Sequence, residues 1–218
     1  MESFCNLNGE NMYHLNNTYS EDILSTIRPD HISEYDWLMD NMKYCREPAY
    51  QKRYRTYWRM NAARLCPAYC TAYFDQLHVA QSRKIPLSAL ARTLYATPTT
   101  RTGKQSLQIS FASKLLHTAD PHLPIYDALV RDFYFWTSPS PRQSLNGRIN
   151  TLYAFYTFLE QEYQRVLTHN LLQNPIRDFR SRFTPKHFTD EKIIDSLLWA
   201  FVALLKHNAI PSGLIEYD

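Results

Sequence analysis

Apolar positions recur at spacings of three and four over most of the chain, the pattern of helices that bury one face. Helices are predicted from residue 20 to just before Pro29, from 33 to 42, 48 to 65, 68 to 81, 87 to 95, 149 to 170, and from a cap at 189–191 through Leu205. The segment that organises the rest runs from 104 to 136. In its first half Ile109, Ala112, Leu115 and Leu116 share one helical face, and Ser110, Ser113, Lys114 and His117 share the other. Pro121 and Pro124 forbid a helix in the connection. Asp127 then stands where an N-cap belongs, ahead of a second helix over 128–134.

Between these elements lie three weaker regions. Residues 1–17 are polar and rich in asparagine, and read as a loosely docked arm. Residues 137–142 read Thr-Ser-Pro-Ser-Pro-Arg, the clearest linker. Arg177, Arg180 and Arg182, with Phe179 and Phe183, follow Pro175 and read as a surface turn. The expected organisation is an arm (1–18), a helical lobe carrying the hairpin-like element (19–136) and a second helical lobe packed on it (143–218). The expected class is all-α and two-lobed.

Composition agrees with helices. Only 4 glycines accompany 16 tyrosines, and 44% hydrophobic residues supply a core. The net charge of +3 excludes a polycation, so any nucleic-acid surface must be local. The local candidate is clear. Between residues 43 and 64 stand Lys43, Arg46, Lys52, Arg53, Arg55, Arg59 and Arg64, with Glu47 the only acid and Tyr50, Tyr54, Tyr57 and Trp58 interleaved. Lys52, Arg55 and Arg59 fall near one helical face. That stripe is either a phosphate track or a solvated basic face. Arg101 and Lys104 lie in a polar loop that leads into the organising helix, where a helix N-terminus favours phosphate.

Other chemistries lack their residues. Cys5, Cys45, Cys66 and Cys70 include no C-x-x-C pair, so neither a metal nor a cofactor is expected and the thiols read as reduced. No P-loop, dinucleotide fingerprint, H-E-x-x-H or serine elbow is present. No apolar run reaches the length of a membrane span, and the expected location is the cytoplasm or wherever DNA is held.

One resemblance remains. Ser110-Phe111-Ala112-Ser113-Lys114-Leu115-Leu116-His117 followed by Pro124-Ile125-Tyr126-Asp127, with a weaker echo from Lys192 to Trp199, resembles the helix-hairpin-helix DNA glycosylases, in particular the 8-oxoguanine-glycosylase-like branch. The resemblance implies binding of duplex DNA with a flipped base, and excision of a damaged or modified base with Asp127 as the catalytic carboxylate. It sets Lys114, His117, Tyr126 and Ser110 near the substrate. The chain also departs from the pattern. Where the family reads Leu-x-Gly-x-Gly, residues 106–110 hold no glycine, and Ser110 stands at the place of the family's nucleophilic lysine. Lys114 lies one turn further on, so strand cleavage requires Lys114 to substitute for it. The alternative is a non-catalytic helical module that binds DNA or protein.

Overall fold

The computed structural model describes residues 12–207 and 209, and among these there are helices and no strand. Residues 12–18 form α1. It is followed by α2 (Ser20–Thr26), α3 (Pro29–Asp40), α4 (Pro48–Tyr57), α5 (Pro67–Ala80), α6 (Leu87–Tyr95), α7 (Ile109–Ala119), α8 (Ala128–Phe133), α9 (Leu145–Thr168), α10 (Gln173–Phe183) and α11 (Asp190–Lys206). No helix among the described residues is long and apolar enough to cross a membrane.

Local chemistry explains most of the starts. Pro29, Pro48 and Pro67 open α3, α4 and α5 at a position where the missing N–H has no helical partner to lose. Asp127, Ser144 and Thr189 cap α8, α9 and α11, their side chains accepting from the backbone N–H of Leu129, Gly147 and Lys192.

The core is built on two helices. α11 packs against α2, α8, α9 and α10, and buries Ile193, Ile194, Leu197, Leu198, Ala200, Phe201 and Leu205. α7 packs against α5 and α6. Its buried positions are Ile109, Phe111, Ala112, Ser113 and the run from Leu115 to Thr118. The polar face expected on this helix is therefore largely internal: Ser113 and His117 are fully buried. Core residues on both sides of the 137–142 segment belong to one continuous apolar cluster.

Four expectations need correction. α3 begins at Pro29 rather than at Ser33. α4 stops at Tyr57, well short of residue 65. Arg59 and Arg64 adopt left-handed backbone, with φ of 55° and 51°, and bracket a 3-10 turn from Met60 to Ala63. Positive φ breaks the helical hydrogen-bond ladder, and the buried side chains of Trp58 and Met60 hold the chain in that reversal. The patch from Arg177 to Phe183, read as a surface turn, lies in the helix Gln173–Phe183. Pro175 falls in its first turn, where it is tolerated, and Phe179 is buried. Within the expected arm, residues 12–18 are helical, with Met12 and Tyr13 buried and the Tyr13 hydroxyl donating to Glu162 at 2.8 Å. Residues 1–11 and the expected tail beyond 209 lie outside the described residues.

Candidate functional site

The connection between α7 and α8 has no regular structure of its own, and three buried side chains hold it. The His117 imidazole donates from Nδ1 to the Leu123 carbonyl at 2.6 Å and accepts at Nε2 from the Tyr35 hydroxyl at 2.8 Å. Because a carbonyl only accepts, Nδ1 carries a proton, and burial, which disfavours the charged ring, leaves Nε2 as the acceptor. The Ser113 hydroxyl oxygen accepts from the Tyr126 N–H at 2.9 Å and donates to the Ser110 carbonyl at 3.0 Å. The Asp195 carboxylate, from α11, accepts from the Ile125 N–H at 3.1 Å and from the Tyr163 hydroxyl. These bonds fix residues 123–126, and so fix where α8 begins.

Asp127 is placed by that clamp. Its backbone is extended (φ −132°, ψ 155°), and Oδ1 accepts from the Leu129 N–H at 3.0 Å. Oδ2 lies 3.5 Å from the Lys114 Nζ, which α7 contributes from the other side of the turn. Neither group is sealed: the side chains are 24% and 12% exposed. Burial pulls the Lys114 amine below the usual lysine range, against the opposing charge of Asp127. Its Nζ is 5.6 Å from the centre of the Phe111 ring and 5.7 Å from that of Trp58.

A second lysine shares the Trp58 ring. Lys192 of α11 is 5% exposed, and its Nζ lies 5.3 Å from Trp58, 5.5 Å from Tyr35 and 5.8 Å from Phe188, measured to ring centres. Burial lowers its proton affinity and Asp195 raises it. Burial in turn pushes the Asp195 carboxyl up, against Lys192, the Tyr163 hydroxyl and the Ile125 N–H. The charges of Asp127 and Lys114 also reach Lys192, so the two lysines and two aspartates form one electrostatic unit. Arg59, on its left-handed turn, projects over the exposed Trp199 ring at 5.6 Å, and its charge is felt at Lys114.

Of the residues singled out by sequence, Asp127 and Lys114 meet, and Arg59 lies within electrostatic reach of them. His117 does not reach outward: it is fully buried and both ring nitrogens are engaged. Tyr126 is also buried, edge-on to Phe155 at 5.7 Å. Ser110 is half-buried, with its carbonyl serving Ser113. Lys52 is exposed, and Arg55 is half-buried with its Nε donating to the Gln51 carbonyl. Arg101 and Lys104 are exposed on a loop closed by the Thr99 N–H to the Lys104 carbonyl at 2.9 Å. Two cations of the basic stretch are engaged internally, Arg53 with Glu34 at 2.6 Å and Arg46 with Asp75 at 3.2 Å. Lys192 and Asp195 did not stand out as site residues in the sequence. Their one local signal is a lysine and an aspartate, three positions apart, at the head of an apolar helix.

The buried imidazole carries a pH prediction. Burial pulls His117 down to about 3 from a usual 6.5. Between those values the unfolded chain binds a proton that the folded chain refuses. Its contribution is therefore complete above 6.5 and is lost as the pH falls toward 3, by about 1.4 kcal/mol per pH unit. His117→Gln should be less stable than wild type at pH 7 and should lose less stability on going to pH 5, as measured by urea unfolding at both values. Equal losses in the two proteins would show that His117 is not the acid-sensitive group.

No protein family, curated protein or solved structure compared with this chain matches it.

Proposed function

We propose that this chain is a DNA glycosylase-like protein that extrudes a damaged or modified base and cuts its N-glycosidic bond with Asp127. The observation that carries the reading is the partly exposed Lys114–Asp127 pair at 3.5 Å, held at the mouth of a clamped turn. Cleavage of that bond leaves positive charge on the sugar. A carboxylate beside it stabilises the charge and directs the attacking water. Arg59 supplies positive charge for a phosphate near the site, and Lys52, Arg55, Arg101 and Lys104 supply it elsewhere on the molecule. Lys114, its amine partly stripped of water, is the one group placed to form a Schiff base with C1′ if the protein also cleaves the strand.

The test is a panel of duplex oligonucleotides, each with one lesion, incubated with the protein and resolved with and without alkali. Nicks that need alkali identify a glycosylase without lyase activity. Alkali-independent nicks, with a borohydride-trapped adduct lost in Lys114→Ala, identify a lyase. No product from any lesion would remove the proposal.

A binding-only reading has one observation in its favour. Asp127 already uses Oδ1 on the helix cap and Oδ2 on Lys114, which is what a purely structural aspartate would do. Salt-sensitive DNA binding without product formation is the outcome that selects this reading.

A further inference from the structure

We propose that Lys192 is the group that protonates the departing base, a role that rests on reading the Asp127 site as a glycosylase centre. It is the one lysine among the described residues that is buried. Lys114, Lys186 and Lys206 each have a carboxylate partner. The Lys192 ammonium has three aromatic rings for neighbours and no hydrogen-bond acceptor among the described residues. A lysine side chain buried among rings, with Asp195 the nearest charge to answer it, costs folding free energy, and such groups persist where function requires them.

The location fits a proton donor to a base. Tyr35, Trp58 and Phe188 pack edge to face around the ammonium and are themselves buried, so a base that reaches it must part these rings and then stacks among them. The centre of the Trp58 ring is 5.3 Å from the Lys192 ammonium and 5.7 Å from that of Lys114, which is paired to Asp127. One carboxylate then faces the sugar while a separate ammonium stands beside the same tryptophan. Burial, by loosening the Lys192 proton, brings its acidity toward the neutral range that proton donation requires.

In the proposed step the C1′–N bond breaks and its electron pair goes to the base nitrogen. That nitrogen takes a proton from the Lys192 ammonium. The oxygen of water bonds to C1′, and the proton lost by water passes to the Asp127 carboxylate. Solvent then reprotonates the Lys192 amine and deprotonates Asp127, so that one water is consumed and one base and one abasic sugar are formed.

The experiment compares the wild type, Lys192→Met and Lys192→Arg on two duplexes under single-turnover conditions. One carries the uncharged base that the wild type removes fastest. The other carries the fluorinated analogue of that base, whose departing nitrogen is less basic and needs its proton less. Lys192→Met is expected to lose about 10²-fold or more on the first duplex and much less on the second. Lys192→Arg keeps the positive charge and gives up its proton far less readily, so it should show the same asymmetry. Thermal unfolding checks folding: Lys192→Met takes away the charge that Asp195 faces, so some loss of stability is expected, and the difference between the two duplexes, which a general loss of folding does not produce, carries the test. Equal losses on both duplexes, or no loss on either, would overturn the role of Lys192 while leaving base excision in place. A wild type inactive on every duplex removes the glycosylase reading, and the role of Lys192 with it.

Discussion

Asp195→Ala is expected to destabilise the protein by about 3–5 kcal/mol, among the largest effects available to one substitution in this chain. The carboxylate is 4% exposed and joins three elements. It accepts from the Ile125 N–H in the turn and from the Tyr163 hydroxyl of α9, and it faces the charge of Lys192 on its own helix. Truncation strands both donors in the core, at about 1–3 kcal/mol for each unsatisfied group. It also leaves the Lys192 ammonium with no buried counter-charge. Asp195→Asn keeps an acceptor of the same shape and should cost clearly less than the alanine. Urea unfolding with both variants separates the contributions. A loss under 1 kcal/mol in the alanine variant would mean that the turn does not depend on this clamp.

Asp127→Asn should act in the opposite way, leaving the fold and removing the chemistry. Asparagine caps a helix about as well as aspartate, so its side-chain oxygen can still accept from the Leu129 N–H. The Lys114 pair lost in the exchange is mostly buried, and the amide oxygen left behind still offers the ammonium an acceptor, so the loss of stability is about 1 kcal/mol. A neutral amide, in contrast, cannot balance positive charge on the sugar or take a proton from water. The single-turnover rate on a cleavable lesion is expected to fall by about 10³-fold, with the melting temperature lowered by no more than about 2–4 °C. An unchanged rate would identify Asp127 as a cap and nothing more. A melting temperature that close to wild type is what entitles the rate to a chemical interpretation, which Asp127→Ala, losing the cap as well, would not provide.

The geometry gives these substitutions contrasting effects because the turn and the site use different groups. Ser113, His117 and Asp195 hold the chain between α7 and α8, and none of them faces solvent. Lys114 and Asp127 are the groups that solvent reaches. A substitution in the first set should change stability, and through it the position of Asp127. A substitution in the second set should change reactivity first.

Much of the helical framework was legible in the sequence because its signals are short-ranged. The limits of α6 follow from the apolar spacing after Pro86. The starts at Pro48 and Pro67, and the caps at Asp127 and Thr189, depend on residues within one turn of each boundary. The misreadings have equally local causes. Pro175 reads as the end of one element although it stands in the first turn of the next, and nothing near Arg59 announces a left-handed arginine. The Lys114–Asp127 pair was half legible: both residues drew attention, and their meeting across the turn did not follow from spacing.

What tertiary structure alone decided is which polar groups are internal and which charges share a space. The polar face of α7 reads as a solvent face until Tyr35 of α3 and the following turn cover it, after which Ser113 and His117 become clamps. Asp195 stands 70 residues from the Ile125 amide it holds, a separation across which no periodicity carries information. Capping and hydrophobic spacing depend on neighbours along the chain, so sequence reports them. Desolvation and charge pairing depend on neighbours in space, and those exist only once α11 has docked.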